Sequence, residues 1–198
     1  MSKQVWFLVG GNGSGKSTFY ETQLKPRGVA FLNADVIAKV QRPDAPEAFS
    51  YEAAKITMAR FQDWILRGRS FCYETVFSHP SKLDLLKRCK ALGYQCIVVY
   101  IHIDSDDLNV LRVKERKRRG GHGVPEEKIR TRIPRTRILT RKAGEIADEL
   151  RLLNNSSCNY PFARVADKIS GRVTIHQEPL PGWAQAMLFP GAVSDATL

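Results

Sequence analysis

The chain has 198 residues, 31 Lys+Arg against 20 Asp+Glu for a net charge of +11, and 43% apolar residues. That size suits a domain with a core of its own, and the composition excludes a disordered or fibrous chain. No apolar run approaches the roughly 20 residues that span a bilayer, and Val5–Val9 ends in glycines without a small-residue cleavage site, which argues against a secretory signal.

Short β-rich runs alternate with helical stretches, the pattern of a parallel sheet with crossover helices. A first strand is predicted over Gln4–Val9, then a glycine-rich turn and a helix from about Lys16. A second strand is predicted at Val29–Asn33. Ala54, Met58, Phe61 and Ile65 fall at helical spacing in a long helix over Glu47–Arg67, closed by Gly68. A third strand follows at Ser70–Glu74. Ser81 is positioned to cap a helix that runs to about Leu92. The near-continuous apolar run Gln95–Ile103 reads as a buried parallel strand. A basic helix is predicted over Asp106–Arg119, broken by Gly120-Gly121-His122-Gly123, with Pro125 in the first turn of the next helix. Leu150–Leu153 reads as a fifth strand. Phe162–Asp167 and Arg172–Gln177, joined through Ser170-Gly171, read as a hairpin. A short helix and a tail follow Pro179–Pro181.

Gly10-Gly11-Asn12-Gly13-Ser14-Gly15-Lys16-Ser17 fits the phosphate-loop pattern G-x-x-x-x-G-K-[ST], between a strand and a helix as that pattern requires. Its backbone N–H groups cradle phosphate oxygens, and the helix N-terminus adds partial positive charge. Lys16 supplies a charge for the β- and γ-phosphates of ATP. Ser17 offers a hydroxyl to Mg²⁺, with Thr18 next in line.

In such sheets ligands sit at the carboxyl ends of the strands. Asp35 there suits a general base acting on an acceptor hydroxyl, or an N-cap for a helix over Val36–Val40; position alone does not choose. Glu74 ends an apolar run, where a carboxylate without a partner is costly. It suits substrate hydroxyls, water on Mg²⁺, or an arginine partner, with Thr75 beside it. Asp104 reads as part of a helix cap. Asn154 and Asn155 suit either a nucleotide base or a turn.

Thirteen basic residues against three acidic ones lie between Asn109 and Lys142, so this segment carries nearly the whole charge excess. Arg112, Arg116 and Arg119 share one helix face, and Lys114 is turned from it. A lid over the triphosphate, hinged at Gly120–Gly123, accounts for this charge. A nucleic-acid partner is disfavoured, because no Phe, Trp or Tyr occurs from Ile101 to Asn159 to stack on bases. The histidines show no metal spacing. His102 reads as structural, and His122 as a weak candidate for ligand contact. Cys72, Cys89, Cys96 and Cys158 form no C-x-x-C pair, and reduced thiols in a cytoplasm are expected.

The phosphate loop through Thr18, Asn33-Ala34-Asp35, Glu74-Thr75, the Arg-Gly-Gly-His-Gly-Val-Pro-Glu-Glu-Lys-Ile stretch at 119–129 and Asn154-Asn155-Ser156 together resemble the zeta toxin family of P-loop kinases. The resemblance is to its compact stand-alone bacterial branch and covers about Gln4 to Glu178. It implies an adenylate-kinase-like α/β core, residues 1–178, with a basic lid at about 106–142 and a C-terminal helix and tail over 179–198. It implies ATP- and Mg²⁺-dependent phosphorylation of a small molecule, which in zeta toxins is a sugar hydroxyl of UDP-N-acetylglucosamine. It assigns Lys16 and Ser17 to ATP and Mg²⁺, Asp35 as base and Glu74 to the acceptor. Arg112 and Arg119 face the phosphates, with Arg116 or Arg118 as alternative counterparts. An antitoxin protein is the partner implied.

Overall fold

The computed structural model describes residues 3–189, so the expected tail after Phe189 lies outside the described residues. Five parallel strands form the body of a seven-stranded sheet: β1 (Gln4–Val9), β2 (Ala30–Leu32), β3 (Phe71–Thr75), β4 (Gln95–His102) and β5 (Glu149–Asn154). The hairpin β6 (Ala163–Ile169) and β7 (Arg172–Ile175) extends it antiparallel, giving the order β2-β3-β1-β4-β5-β6-β7. The expected mixed α/β architecture and C-terminal hairpin are both present.

Strand β1 is central, and Val5 through Val9 are all buried, as a strand covered on both faces must be. Phe7 packs edge-on against Tyr73 and Phe77 and tilted against Phe61. On this face lie α3 (Ser50–Leu66), α4 (Ser81–Ala91), α6 (Glu126–Ile146) and α7 (Gly182–Leu188). Trp6 and Leu8 face the other way, onto Tyr20, Leu24 and Ile97. Each such side chain contributes about 1.5–3 kcal/mol through burial.

The helix expected from Lys16 is more irregular than its sequence suggests. One α turn, α1 (Lys16–Phe19), widens into a π-type stretch at Tyr20–Leu24 and tightens into a 3₁₀ turn at Lys25–Arg27. Pro26 explains the ending, since it lacks an N–H and its ring clashes with the turn before it. Tyr20 then stacks on Phe31 at 3.9 Å and donates to the Val29 carbonyl.

Three expected caps fall elsewhere. Helix α2 (Ala34–Gln41) starts ahead of Asp35, and Asn33 caps it by accepting from the Val36 N–H at 3.0 Å. Ser105, not Asp104, caps α5 (Asp106–Arg118), because its hydroxyl reaches the Asp107 N–H. Ser81 is the first residue of α4 rather than its cap, and its hydroxyl bonds His79 Nδ1. Pro125 likewise sits just before α6 rather than within its first turn.

The parallel register aligns the strand ends. Val9 is level with Thr75 and Tyr100, and His102 with Asn154. The segments after β1, β2, β3, β4 and β5 therefore gather along one edge of the sheet, as expected for a ligand crevice.

Candidate active site

Residues 10–15 form a loop between β1 and α1 held from two sides. Asn109 on α5 donates to the Asn12 carbonyl at 2.7 Å, and Asn155 after β5 donates to the Ser14 carbonyl at 2.9 Å. Both asparagines are buried. Gly15 has φ +94, and a Cβ there would meet Asn155 Nδ2 at 2.4 Å, so conformation and space both demand glycine. Asn155 is thus a clamp on the loop, and Asn154 braces the β4–α5 corner through Asp104 and Ser156.

Lys16 is buried, donating from Nζ to the carbonyls of Gly10 and Gly11. Glu74 Oε1 lies 4.0 Å from Nζ, and Ser17 Oγ donates to Glu74 Oε2 at 2.9 Å. Burial pulls the Lys16 pKa down, countered by the charges of Glu74 and Asp35. Burial pushes Glu74 up, countered by Lys16 and by hydrogen bonds from Ser17 and Asn33. Lys16, Ser17, Glu74 and Asp35 are therefore brought within electrostatic reach of one another.

A cavity of about 450 Å³ covers the loop and the start of α1, lined by Gly13, Gly15, Lys16, Ser17 and Thr18 with Glu74, Arg112 and Arg116. Its other wall is Asn155, Cys158, Pro161 and Phe162. Two further cavities adjoin it. One of about 640 Å³ contains Ser17, Asp35, Lys39, Glu47, Arg116 and His122. The other, about 310 Å³, contains Lys16, Asp35, Glu74, Thr75, Arg116 and His122. Asp35 borders both of these but not the first, so it stands on the side of the phosphate loop away from the Phe162 wall.

The basic helix resolves into distinct roles. Arg112 donates to the carbonyls of Asn155 and Ser156. Arg116 lines all three cavities, donates from Nε to the His122 carbonyl, and has a buried Nη2 without a hydrogen-bond partner among the described residues. Arg119 is turned outward onto Glu115 at 2.9 Å, its side chain 78% exposed, and borders none of these three cavities. Arg118 is likewise exposed and faces Glu115. Val110 and Val113 pack on Ile129 and Ile133, so α5 has an apolar seam that its charge conceals. The glycine break is anchored: Gly121 N donates to the Arg116 carbonyl and Gly123 N to Glu47 Oε1. A Cβ on Gly121 would meet Arg116 Cγ at 2.6 Å.

His102 is buried, stacked on Trp183 at 4.0 Å, and held down to about 3 chiefly by burial, which fits a structural residue. Sequence reasoning missed Asn109, Cys158, Pro161 and Phe162. Asn109 inside a helix was the available signal, a buried amide that must find a partner.

A family model described as an AAA domain matches residues 5–136. The chain belongs to the AAA domain family. An uncharacterized protein of Haemophilus influenzae is 28% identical over 132 residues, 67% of this chain and 94% of that one. Among solved structures, an AvrRxo1-ORF1:-ORF2 crystal structure with ATP contains a chain with TM-score 0.71 at 16% identity; the match covers 88% of this chain and 61% of that one. This chain thus spans less than two thirds of that relative. A chain from the PezAT chromosomal toxin-antitoxin system of Streptococcus pneumoniae has TM-score 0.65 at 16% identity, over 100% of this chain and 82% of that one. These likenesses establish a P-loop kinase-like fold, and the resemblance to zeta toxins holds at that level. The AAA domain family and the phosphate loop support nucleotide binding in general. Among the described residues, no helix is long and apolar enough to cross a membrane.

Proposed function

We propose that the chain is an ATP- and Mg²⁺-dependent kinase acting on a hydroxyl of a small anionic acceptor, a nucleotide-sugar of the UDP-N-acetylglucosamine kind. The observation that carries this reading is the position of Asp35, exposed in the cavities next to the phosphate loop while a different residue caps its helix. Freed from capping, its carboxylate is available to take a proton from an acceptor hydroxyl.

The residues fit a magnesium ion. Ser17 and Glu74 present hard oxygen donors side by side, and among the described residues no larger His/Cys/Asp/Glu cluster is present. Magnesium is commonly held by one or two protein oxygens, with water and phosphate filling its other positions. Bound there, it would neutralise phosphate charge. Lys16 and the loop N–H groups would hold the β- and γ-phosphates, and Arg116 would offer its unpaired nitrogen to the transferred group. Glu74 would orient Ser17. The α5–α6 region with its glycine break is the lid of this proposal, and an antitoxin-like protein is its partner, in keeping with the PezAT likeness.

Incubation with ATP, Mg²⁺ and a panel of UDP-sugars, free sugars, dinucleotides and RNA 5′-ends, read by ADP release and product mass, tests the proposal. One added phosphoryl group on UDP-N-acetylglucosamine is the expected result. Transfer confined to a neutral sugar or an RNA end replaces the acceptor, and ADP release with none of them removes the kinase.

The arginines make a second test. Arg116→Ala is expected to lower kcat/KM about 10²–10³-fold, the usual cost of one preorganised donor. Arg119→Ala and Lys114→Ala should stay within about twofold, because Glu115 and Glu126 already hold those cations at the surface. Equal losses in all three would indicate a diffuse basic patch.

A further inference from the structure

The cavity of about 310 Å³ that holds Asp35 and Glu74 also holds two cations, Lys82 and Arg132, that have no carboxylate partner among the described residues. Lys82 enters it from the first turn of α4, and Arg132 from α6. Neither borders the cavity over the start of α1, whereas Gly13, Lys16, Glu74 and Arg116 border both. The ATP phosphates are thus served by one set of residues and this cavity by an additional one.

Both cations run against their surroundings. Lys82 lies at the positive end of a helix, where a lysine is disfavoured. Its Nζ donates to Tyr73 Oη at 2.8 Å, and among the described residues no carboxylate pairs with it. Tyr73 is buried, and its hydroxyl, accepting from Lys82, keeps its own proton to donate. Arg132 is half-buried, and among the described residues its guanidinium has neither a hydrogen bond nor an ion pair. On α5 and α6 Lys114 and Arg130 share Glu126 and Arg119 holds Glu115, while cations such as Lys117, Lys128 and Arg135, which lack a carboxylate among the described residues, are exposed. Arg132 differs in being half-buried and lining the cavity of Asp35. Two cations left without a carboxylate in one cavity, beside a hydroxyl donor, call for an anion from outside the chain.

We infer that Lys82, Arg132 and the Tyr73 hydroxyl form a subsite for a phosphate or diphosphate group of the acceptor, distinct from the ATP phosphate site and in the same cavity as Asp35. The subsite selects acceptors that carry phosphate in addition to the reacting hydroxyl. Arg132 provides the planar fork suited to paired phosphate oxygens, and Lys82 a point charge. This inference rests on the kinase reading for the role of its ligand.

The test is calorimetric titration of UDP-N-acetylglucosamine, N-acetylglucosamine 1-phosphate and N-acetylglucosamine into the full chain, saturated with Mg²⁺ and a non-hydrolysable ATP analogue. The wild-type protein should bind at least one phosphorylated ligand. Arg132→Gln and Lys82→Gln should each weaken it roughly 10- to 100-fold. The neutral sugar, the ATP analogue and the melting temperature should be unaffected, and Arg132→Lys should recover part of the loss. Undiminished binding in both Gln variants overturns the subsite. So does an equal loss for the neutral sugar, or a wild-type protein that binds neither phosphorylated ligand. The kinase reading fails separately. Transfer with an unchanged KM in Arg132→Gln removes the subsite and leaves the kinase. Loss of phosphorylated-ligand binding in that variant, with no transfer to any acceptor by the wild type, removes the kinase and leaves the subsite.

Discussion

Replacing Asp35 by Asn is expected to leave ATP affinity within about twofold and to slow phosphoryl transfer by a hundredfold or more. The change keeps size and shape and removes the capacity to accept a proton. It spares the helix, because Asn33 and not Asp35 satisfies the Val36 N–H. It should spare the nucleotide as well, since Asp35 does not border the cavity over the start of α1. Its charge is nonetheless felt at the centre, raising the pKa values of both Lys16 and Glu74. Calorimetric ATP binding and product mass over time check the two halves separately. Normal transfer by the variant would reduce Asp35 to an acidic residue favouring the first turn of α2 through the helix dipole.

The same residue shows where sequence reasoning stops. A base and a helix cap demand the same residue types at the same place, so Asp35 is ambiguous in the sequence. Only the fold shows which neighbour turns its side chain to the Val36 N–H, and that removes the cap as a role for Asp35. The phosphate loop has less of this difficulty, because its glycines and Lys16 follow a short motif, although the clamps on it from Asn109 and Asn155 come from distant elements. The arginines lie at the opposite extreme. Spacing places Arg112, Arg116 and Arg119 on one helix face, and no periodicity can rank them. They are separated by partners elsewhere. Glu115, one turn earlier, draws Arg119 outward, the folded-back glycine break offers Arg116 the His122 carbonyl, and the β5 exit offers Arg112 two more. Lys82 and Arg132 were hidden for a related reason. Each is an ordinary surface cation on its own helix, and only the packing of α4 against α6, both on β4, brings them to one cavity.

Lys16→Ala should have a large catalytic effect and little effect on folding. Lys16 is buried among polar partners. Its ammonium is held by two loop carbonyls and faces Glu74 at 4.0 Å. Burial already depresses its pKa, so the folded protein bears a cost for keeping this charge, and alanine removes that cost. Against this relief stands the loss of Glu74's counter-charge. Glu74 would retain its Ser17 hydrogen bond, and its pKa, already raised by burial, would rise further. The opposing changes should leave the melting temperature within a few degrees. Catalysis has no such offset. A preorganised charge aimed at a transferring phosphoryl group is worth about 2.7–4 kcal/mol of transition-state stabilisation, so kcat should fall by roughly 10²–10³. Turnover per folded molecule, measured beside the melting curve, decides the matter. A protein that melts far earlier yet turns over normally while folded would make Lys16 a structural strut of the loop rather than its phosphate ligand.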